Sequence, residues 1–538
     1  MKAFQLRFNG FSHSGGRLNV LIFGALFVIM PTIGTLVFYT DKLLLLGGIM
    51  GVALIAFSMV KPEAATLVVV FVLYTNLAVV AKMFHGVPDI LAGSFSLLLA
   101  VPLTNYLFIR RQKIIIDYVC LLMVLFLAIS VASSFFAKDK SIAFQWVGNY
   151  ILEGLAIYFL FINVVRNLTV LKKVIWVLLI AGAFMGSLSL YQELFNAYSN
   201  TFGGIAQRSK DVEFEDEFYG DIYGKGTFFK KREKMRGANR TGGPIGKANR
   251  FGQIMLVLAP LALFRYWGEH KWCLKYFAAA AAVLILCGVL LTYSRGAFVT
   301  MVVMTMLLLF FKYVRLRQVL ISLVVLVVLM SFAAPGYLNR IDTIRGVQGL
   351  VSSSAEVRPD GTTRGRLTEM LAAFLAFTDY PILGVGPGQY TPYYSKEYQS
   401  DPDIAFRYLG RKRRAHILYF EMAAETGILG IGTFMAIAFL ILFRLWKIRR
   451  ISFKLQPEFA NIATSLWFAV IAYLGTAVFL HLAYQRYYWF IVSIAGAAIQ
   501  IYYNEVAVQK KQKSEDGRET KEVEFEDVKP ALNDHSVS

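Results

Sequence analysis

Apolar residues fall along the chain in blocks of about 20, the length of helix that crosses the roughly 30 Å hydrocarbon core of a bilayer. The blocks lack the alternation typical of a barrel strand, and in lipid only helices or closed barrels satisfy the backbone. The pattern therefore predicts an all-α polytopic integral membrane protein with about 12–14 transmembrane helices. The predicted spans are 18–38, 43–60, 64–82, 89–108, 116–136, 147–165, 172–195, 249–266, 272–292, 296–312, 316–334, 417–445, 461–481 and 485–503.

Composition supports this reading and excludes several others. The chain has 538 residues, 57% of them apolar and 17% charged, with a mean hydropathy of +0.54. Soluble globular domains are about 25% charged, so soluble multi-domain enzymes and disordered chains fit poorly. The three cysteines lie in or beside predicted helices, which leaves no disulfide framework and no zinc spacing.

The net charge of +20 reflects membrane orientation more than a nucleic-acid partner, because the basic residues form no continuous patch. With a cytoplasmic N-terminus, the predicted inside loops hold 21 Lys and Arg residues and the short outside loops six. The first span follows Lys2, Arg7 and Arg17 without a small-residue cleavage site, so we expect a retained helix. The C-terminus is then also cytoplasmic.

The spans divide the chain into six regions. Two long external loops separate groups of helices, and the first contains an acidic run and a basic run that read as a solvated insertion. The tail is polar, and we expect it to be disordered. The regions are helices 1–195, charged loop 196–248, helices 249–334, large external loop 335–415, helices 416–503 and cytoplasmic tail 504–538.

Four polar motifs lie on the predicted external side. The first, 240–252, leads into a helix; its basic residues Arg240, Lys247 and Arg250 beside a helix start favour an anion site, with Asn249 as the expected cap. The second is the turn 293–296, in which Arg295 either extends to the interface or pairs with an anion. The alternative for the first motif is an ordinary loop.

The third motif, 384–390, contains Gly384, Gly386 and Gly388, and without a strand–turn–helix context it predicts a tight turn. Arg364 and Arg366 lie upstream in a plausible amphipathic helix.

The fourth motif, 413–430, places His416 at the start of a span. Glu421 and Glu425 share one face of that helix because they are four residues apart, and acids at membrane depth must face protein or water.

Taken together and in order, these motifs resemble those of the O-antigen ligase and Wzy-type polymerase superfamily. The resemblance rests on Arg240-x-Gly-Gly…Asn249, Ser294-Arg295-Gly296, Gly384-Val-Gly-x-Gly and His416-x-x-Tyr419…Glu425-x-Gly427-x-x-Gly430. It covers about 235–445 by motif. One departure is Ile417, where the family has acidic or asparagine variants.

The resemblance implies a GT-C-like membrane glycosyltransferase. Members take a glycan from a polyprenyl (undecaprenyl) diphosphate on the outer face of the inner membrane and pass it to a hydroxyl of a glycan, of lipid A-core or of another acceptor. Arginine suits the leaving diphosphate, and imidazole suits proton transfer near neutral pH. The implied catalytic residues are His416, Arg295 and Arg240. Substrate-binding candidates are Arg250, Lys247, Arg366, Arg364, Arg414 and Tyr419. Supporting candidates are Glu425, Glu421, Asn249, Gly384, Gly386 and Gly388.

Three alternatives stay open at this point. The motifs do not separate a ligase from a polymerase or a protein O-glycosyltransferase, since the donor half of the reaction is shared. A transporter or flippase for lipid-linked sugars is the rival from another class, although such proteins place sites near the midplane of repeated halves. Asp401-Pro-Asp403 has the D-x-D form of a metal site. The resemblance implies a metal-independent reaction in which arginines replace the metal, and we expect no metal and no cofactor.

Overall fold

The computed structural model describes residues 4–6, 61–87, 95–198, 200–207, 240–321, 324, 361–407, 412–482 and 485–526. Within these ranges only the backbone is described at 4–6, 361–363, 454–455 and 507–526. The predicted spans 18–38 and 43–60, most of 316–334 and the charged runs of the first long loop lie outside the described residues.

Helices make up nearly all of the described chain. They are α1 (Pro62–Tyr74), α2 (Leu77–His85), α3 (Phe95–Ile109), α4 (Tyr118–Phe135), α5 (Lys140–Val164), α6 (Leu168–Leu194), α7 (Ala248–Gly268), α8 (Trp272–Leu290), α9 (Arg295–Phe310), α10 (Gly361–Asp379), α11 (Ser395–Gln399), α12 (Leu418–Leu455), α13 (Pro457–Thr476) and α14 (Gln485–Glu526). Two short strands, β1 (Phe4–Leu6) and β2 (Ile114–Ile116), pair antiparallel with Phe4 opposite Ile116.

The predicted fold class, an all-α polytopic membrane protein, is confirmed. Seven of the described helices are long and apolar enough to cross a membrane: α4 to α8, α12 and α13. The pair α1 and α2, bent by 62° at a short break, makes an eighth if it counts as one span. Helices α3 and α9 are shorter than these spans. Since three predicted spans also lie wholly or mostly outside the described residues, the predicted total of 12–14 is not tested.

Some boundaries differ from the prediction. Helix α5 begins at Lys140, seven residues before the predicted span, because Asp139 caps it by accepting the Ile142 N–H. The tail predicted as disordered continues α14 as helix to Glu526. The tail is rich in the helix formers Lys, Gln and Glu, with opposite charges four apart such as Lys511 and Glu515.

Contacts between loops sort the helix ends into two groups, as the predicted alternation requires. At one end lie ion pairs of residues assigned to the cytoplasmic side, such as Lys172–Glu458 (2.6 Å) and Lys173–Glu63 (3.3 Å). The opposite end, here called the motif end, carries the four polar motifs. There the side-chain amide of Asn76 donates to the Pro244 carbonyl (2.9 Å) of the first motif.

The centre of the bundle is formed by α7, α13 and the first half of α14. Trp489 and Tyr488 of α14 are fully buried, and Tyr488 stacks on Phe434 of α12 with 4.8 Å between ring centroids. Although 485–503 was predicted as a span, tyrosine, glutamine and arginine lower its hydropathy, and α14 is not among the seven apolar helices. The first half of α14 is instead buried among other helices.

Candidate active site at the motif end

The first motif holds Arg240 in a fixed place. Arg240 Nε donates to the Thr292 carbonyl (2.7 Å), and its Nη2 donates to Asn249 Oδ1 (2.6 Å). The expectation that Asn249 caps the helix is wrong, because α7 begins at Ala248 and Asn249 lies inside its first turn. Its side chain instead orients the guanidinium, and the bond to Thr292 joins the first motif to the second.

The second motif is the start of α9. Ser294 caps this helix by accepting the Ala297 N–H (3.4 Å), which makes Arg295 the first helical residue. Helix α7 approaches this turn closely at Gly252, where an added Cβ would lie 2.8 Å from Thr292 Oγ1. The first and second motifs therefore form one cluster, which contains Arg240 and the backbone of Arg295.

The segment 477–482, which follows α13, connects this cluster with His416. The Leu418 N–H donates to the Ala477 carbonyl (3.0 Å), which fixes the start of α12 against the segment. On its other side Phe479 packs on Gly296 so closely that an added Cβ would lie 2.8 Å away. The fourth motif thus meets the second through this short segment.

His416 faces a buried carboxylate that the sequence did not single out. Its Nε2 lies 3.7 Å from Glu369 Oε2, and Glu369, in α10, is only 1% exposed. Arg413 Nη1 lies 3.3 Å from the other carboxylate oxygen. Burial raises the pKa of Glu369 to about 7, although the charges of Arg413, Arg366 and Arg407 oppose the rise. An imidazole beside such a carboxylate is stabilised when it gains a proton and the carboxylate is charged.

The third motif packs closely against the fourth at its glycines. Gly427 interrupts α12 with φ 65° and ψ −169°, a backbone conformation that favours glycine. An added Cβ there would lie 2.1 Å from the Ile382 carbonyl oxygen. Gly384, Gly386 and Gly388 all have positive φ, so the predicted tight turn is confirmed.

The turn replaces hydrogen bonds that the break removes from α12. In an unbroken helix the Ile428 N–H would donate to the Ala424 carbonyl; here both groups find partners in the segment 381–386. The bonds run from Val385 N to Ala424 O (2.8 Å), from Gly386 N to Glu425 O (3.0 Å) and from Ile428 N to Pro381 O (2.8 Å). The large loop is thereby fixed to the helix that begins beside His416.

Residues 280–435 match the family model described as O-antigen ligase. This segment is therefore similar to O-antigen ligases. It contains the second, third and fourth motifs, whereas the first motif, with Arg240, precedes it and joins it through Thr292. None of the curated proteins matches the chain.

Within the matched segment 280–435, three other predicted residues make structural contacts. Arg414 forms two hydrogen bonds from Nε and Nη2 to Glu421 Oε1 (2.9 and 2.6 Å). Glu421 also accepts the Ala415 N–H (2.9 Å), so it fixes the backbone next to His416. The Tyr419 hydroxyl donates to the Leu474 carbonyl (2.7 Å). For Arg414 and Tyr419 these contacts favour a positioning role over the predicted substrate contact.

The other predicted binding residues fall into two groups. Lys247 and Arg250 are buried at the start of α7, with Arg250 Nη1 donating to Gln253 Oε1 (3.2 Å). Arg366 lies close enough to Glu369 to act on its charge, whereas Arg364 is exposed on the first turns of α10. Glu425 is buried where α12 breaks.

The D-x-D sequence forms a surface turn. Asp401 Oδ1 accepts the N–H of Asp403 (2.9 Å), and Asp403 is exposed. Among the described residues no group of three His, Cys, Asp or Glu side chains is placed to hold a metal ion.

Two buried residues beside His416 escaped the sequence reasoning. Glu369 lies three residues after Arg366 in the amphipathic stretch, a position that carried no motif. His481 closes the predicted span 461–481 on the external side, and the membrane-edge criterion that selected His416 also applies to it.

Proposed function

We propose that this protein moves a glycan from a polyprenyl diphosphate to an acceptor hydroxyl, as an O-antigen ligase or a surface polysaccharide polymerase. It does so on the periplasmic face of the bacterial inner membrane, with both termini in the cytoplasm. The observation that supports the proposal is that contacts at Thr292 and at the segment 477–482 connect the three motifs to which Arg240, Arg295 and His416 belong, although these motifs are far apart in sequence.

Arg240 and Arg295 bind the diphosphate oxygens. A planar guanidinium matches two phosphate oxygens at once, and charge develops on those oxygens as the bond to the sugar breaks. Arg240 is oriented in advance by Thr292 and Asn249, so little reorganisation is needed when the donor binds.

His416 accepts the proton of the acceptor hydroxyl. The hydroxyl oxygen attacks the anomeric carbon, the bond from that carbon to the diphosphate oxygen breaks, and the electron pair leaves with the polyprenyl diphosphate. Glu369 stabilises the imidazolium that forms, at 3.7 Å. A single displacement inverts the configuration at the anomeric carbon.

We propose that the arginines take the place of a metal ion. Transfer by the purified protein is then unchanged by EDTA, measured as product formed from a lipid-linked donor. Loss of transfer in EDTA with recovery in manganese would contradict this part of the proposal.

Variants tested in cells address the function. Arg240→Ala, Arg295→Ala and His416→Ala each abolish surface glycan while the protein still reaches the membrane, as judged by blotting. Lys396→Ala, an exposed lysine of the same loop region, is the matched control and retains surface glycan. Normal surface glycan in all three variants would overturn the assignment.

The deletion phenotype identifies the acceptor. Single repeat units left on the acceptor indicate a polymerase, and accumulated lipid-linked polymer indicates a ligase. If lipid-linked glycan instead accumulates on the cytoplasmic face, the protein is a flippase.

A further inference from the structure

His481 is a buried imidazole at the centre of the motif end. It lies in the segment 477–482, beyond the last residue of α13, and is 3% exposed. Neither Nδ1 nor Nε2 has a hydrogen-bond partner within the part of the chain that the structure describes. A buried donor and acceptor left unsatisfied cost free energy, so such a group calls for a partner.

The surroundings of His481 are cationic. Its ring meets that of His416 edge to face, with 5.8 Å between centroids. Burial is the main cause that lowers the pKa of His481 well below its usual value, and the charges of Arg414, Arg250, His416 and Lys247 lower it further. His481 is therefore neutral at physiological pH, with one ring N–H to donate.

The segment that carries His481 contacts both the second motif and the start of α12. Two residues before it, Phe479 packs on Gly296, next to Arg295. Four residues before it, the Ala477 carbonyl holds the start of α12. Lys247, just before α7, and Arg250, in its first turn, act on the same ring, so a ligand that reaches His481 lies near these cations and His416.

We infer that His481 binds the donor diphosphate, through an imidazole N–H that donates to a non-bridging phosphate oxygen. The inference rests on the function proposed above. An anion supplies the missing acceptor and is attracted by the surrounding cations, two requirements that a neutral sugar hydroxyl does not meet together.

Binding of undecaprenyl diphosphate to the purified full-length protein tests this without catalysis. Thermal stabilisation is followed as a function of lipid concentration, and undecaprenol, which lacks the anion, is the reference ligand. His481→Phe keeps a planar ring but has no N–H, whereas His481→Gln keeps a donor. His270→Phe is the matched control, because His270 is exposed in the loop between α7 and α8 at the opposite end.

We expect His481→Phe to weaken diphosphate binding by roughly 10- to 100-fold, the loss of one hydrogen bond to a charged group. His481→Gln binds within about threefold of the wild type, because its amide still donates one hydrogen bond, and His270→Phe is unchanged. In transfer assays His481→Phe raises the KM for the donor and leaves the KM for the acceptor unchanged. If His481→Phe does not accumulate, His481→Met, which also lacks an N–H, replaces it with the same expected result.

Two outcomes would overturn the inference. One is wild-type diphosphate binding by the Phe or Met variant; the other is a rise in the KM for the acceptor alone, which would place the acceptor at His481. Failure of the proposed function looks different, since Arg295→Ala and His416→Ala would then transfer glycan normally whatever the result at His481.

Discussion

At the scale of single residues, the candidate site contains an arginine held by two hydrogen bonds and a histidine that faces a buried carboxylate. Arg240 is held by a backbone carbonyl and by Asn249, and His416 faces Glu369 across 3.7 Å. If the proposed function holds, such fixed partners orient the charged groups before the reaction, which is the preorganisation that electrostatic catalysis requires.

Glu369→Gln tests the support of His416. Because the pKa of Glu369 is about 7, its carboxylate forms only as the pH rises through 7, and transfer by the wild type gains from it over that range. In Glu369→Gln this gain is absent and kcat is lower by roughly 10-fold at pH 8, with the donor KM unchanged. The pH profile of kcat checks this. Glu397→Gln, an exposed glutamate nearby, is the control.

The same variant separates positioning from simple structural damage. A carboxyl pKa raised from 4.5 to about 7 means that the folded chain holds the proton more tightly, so stability falls as the pH rises between these values. Glu369→Gln removes that cost. It should be no less stable than the wild type at pH 8, and a large loss of thermal stability there would argue that Glu369 serves the fold alone.

Sequence reasoning found the residues that carry a local signal. Arg240, Arg295 and His416 stand out because charged groups at the membrane edge are costly. Glu369 did not stand out, because its burial and its partner depend on where α10 packs against the start of α12, which is a tertiary fact. His481 met the membrane-edge criterion but had no motif around it.

At the scale of elements, the break in α12 is the feature that ties the large loop to the site. The segment 381–386 donates to and accepts from the helix backbone on both sides of Gly427. The sequence showed the glycines of both motifs and predicted the turn, but it gave no sign that the two motifs bond to each other, since such pairing is non-local.

Gly427→Ala tests the break. A methyl group there meets the Ile382 carbonyl at 2.1 Å and forces a positive φ on alanine, so we expect a loss of about 3 kcal/mol or more. Gly432→Ala is the matched control in the same helix, because nothing lies within 4 Å of its added Cβ. It should be neutral or slightly stabilising. Equal thermal stability of the two purified variants would contradict the role assigned to the break.

At the scale of the whole molecule, the hydrophobic blocks predicted the fold class and the approximate place of most described helices, but not of α10 and α11, which lie in the predicted large external loop. Helix boundaries were less well predicted, because hydropathy does not reveal a helix cap such as Asp139. Hydropathy also does not reveal that the first half of α14 is enclosed by other helices. The polar tail shows a further limit of prediction from composition. Its charged residues predicted disorder, but Lys, Gln and Glu also favour helix, and α14 continues to Glu526.

The orientation predicted from the basic loops is open to a direct test. Cys273 is exposed at the start of α8, on the predicted cytoplasmic side, whereas Cys120 is buried. In a chain with Cys120 and Cys287 replaced by serine, a membrane-impermeant maleimide should label Cys273 only after the membrane is opened. Asp403→Cys, built with Cys273 also replaced, is the external counterpart and should be labelled in intact spheroplasts. Labelling of Cys273 from outside would reverse the topology.

Glycan transfer by the purified protein tests the central claim most directly. The protein is supplied with a glycan on undecaprenyl diphosphate and with a hydroxyl acceptor, and both products are quantified. We predict one undecaprenyl diphosphate released for each glycan joined to the acceptor, no detectable transfer by His416→Ala, and wild-type transfer by Lys396→Ala. Transfer by His416→Ala at the wild-type rate, or no transfer by the folded wild type with any acceptor offered, would contradict the account.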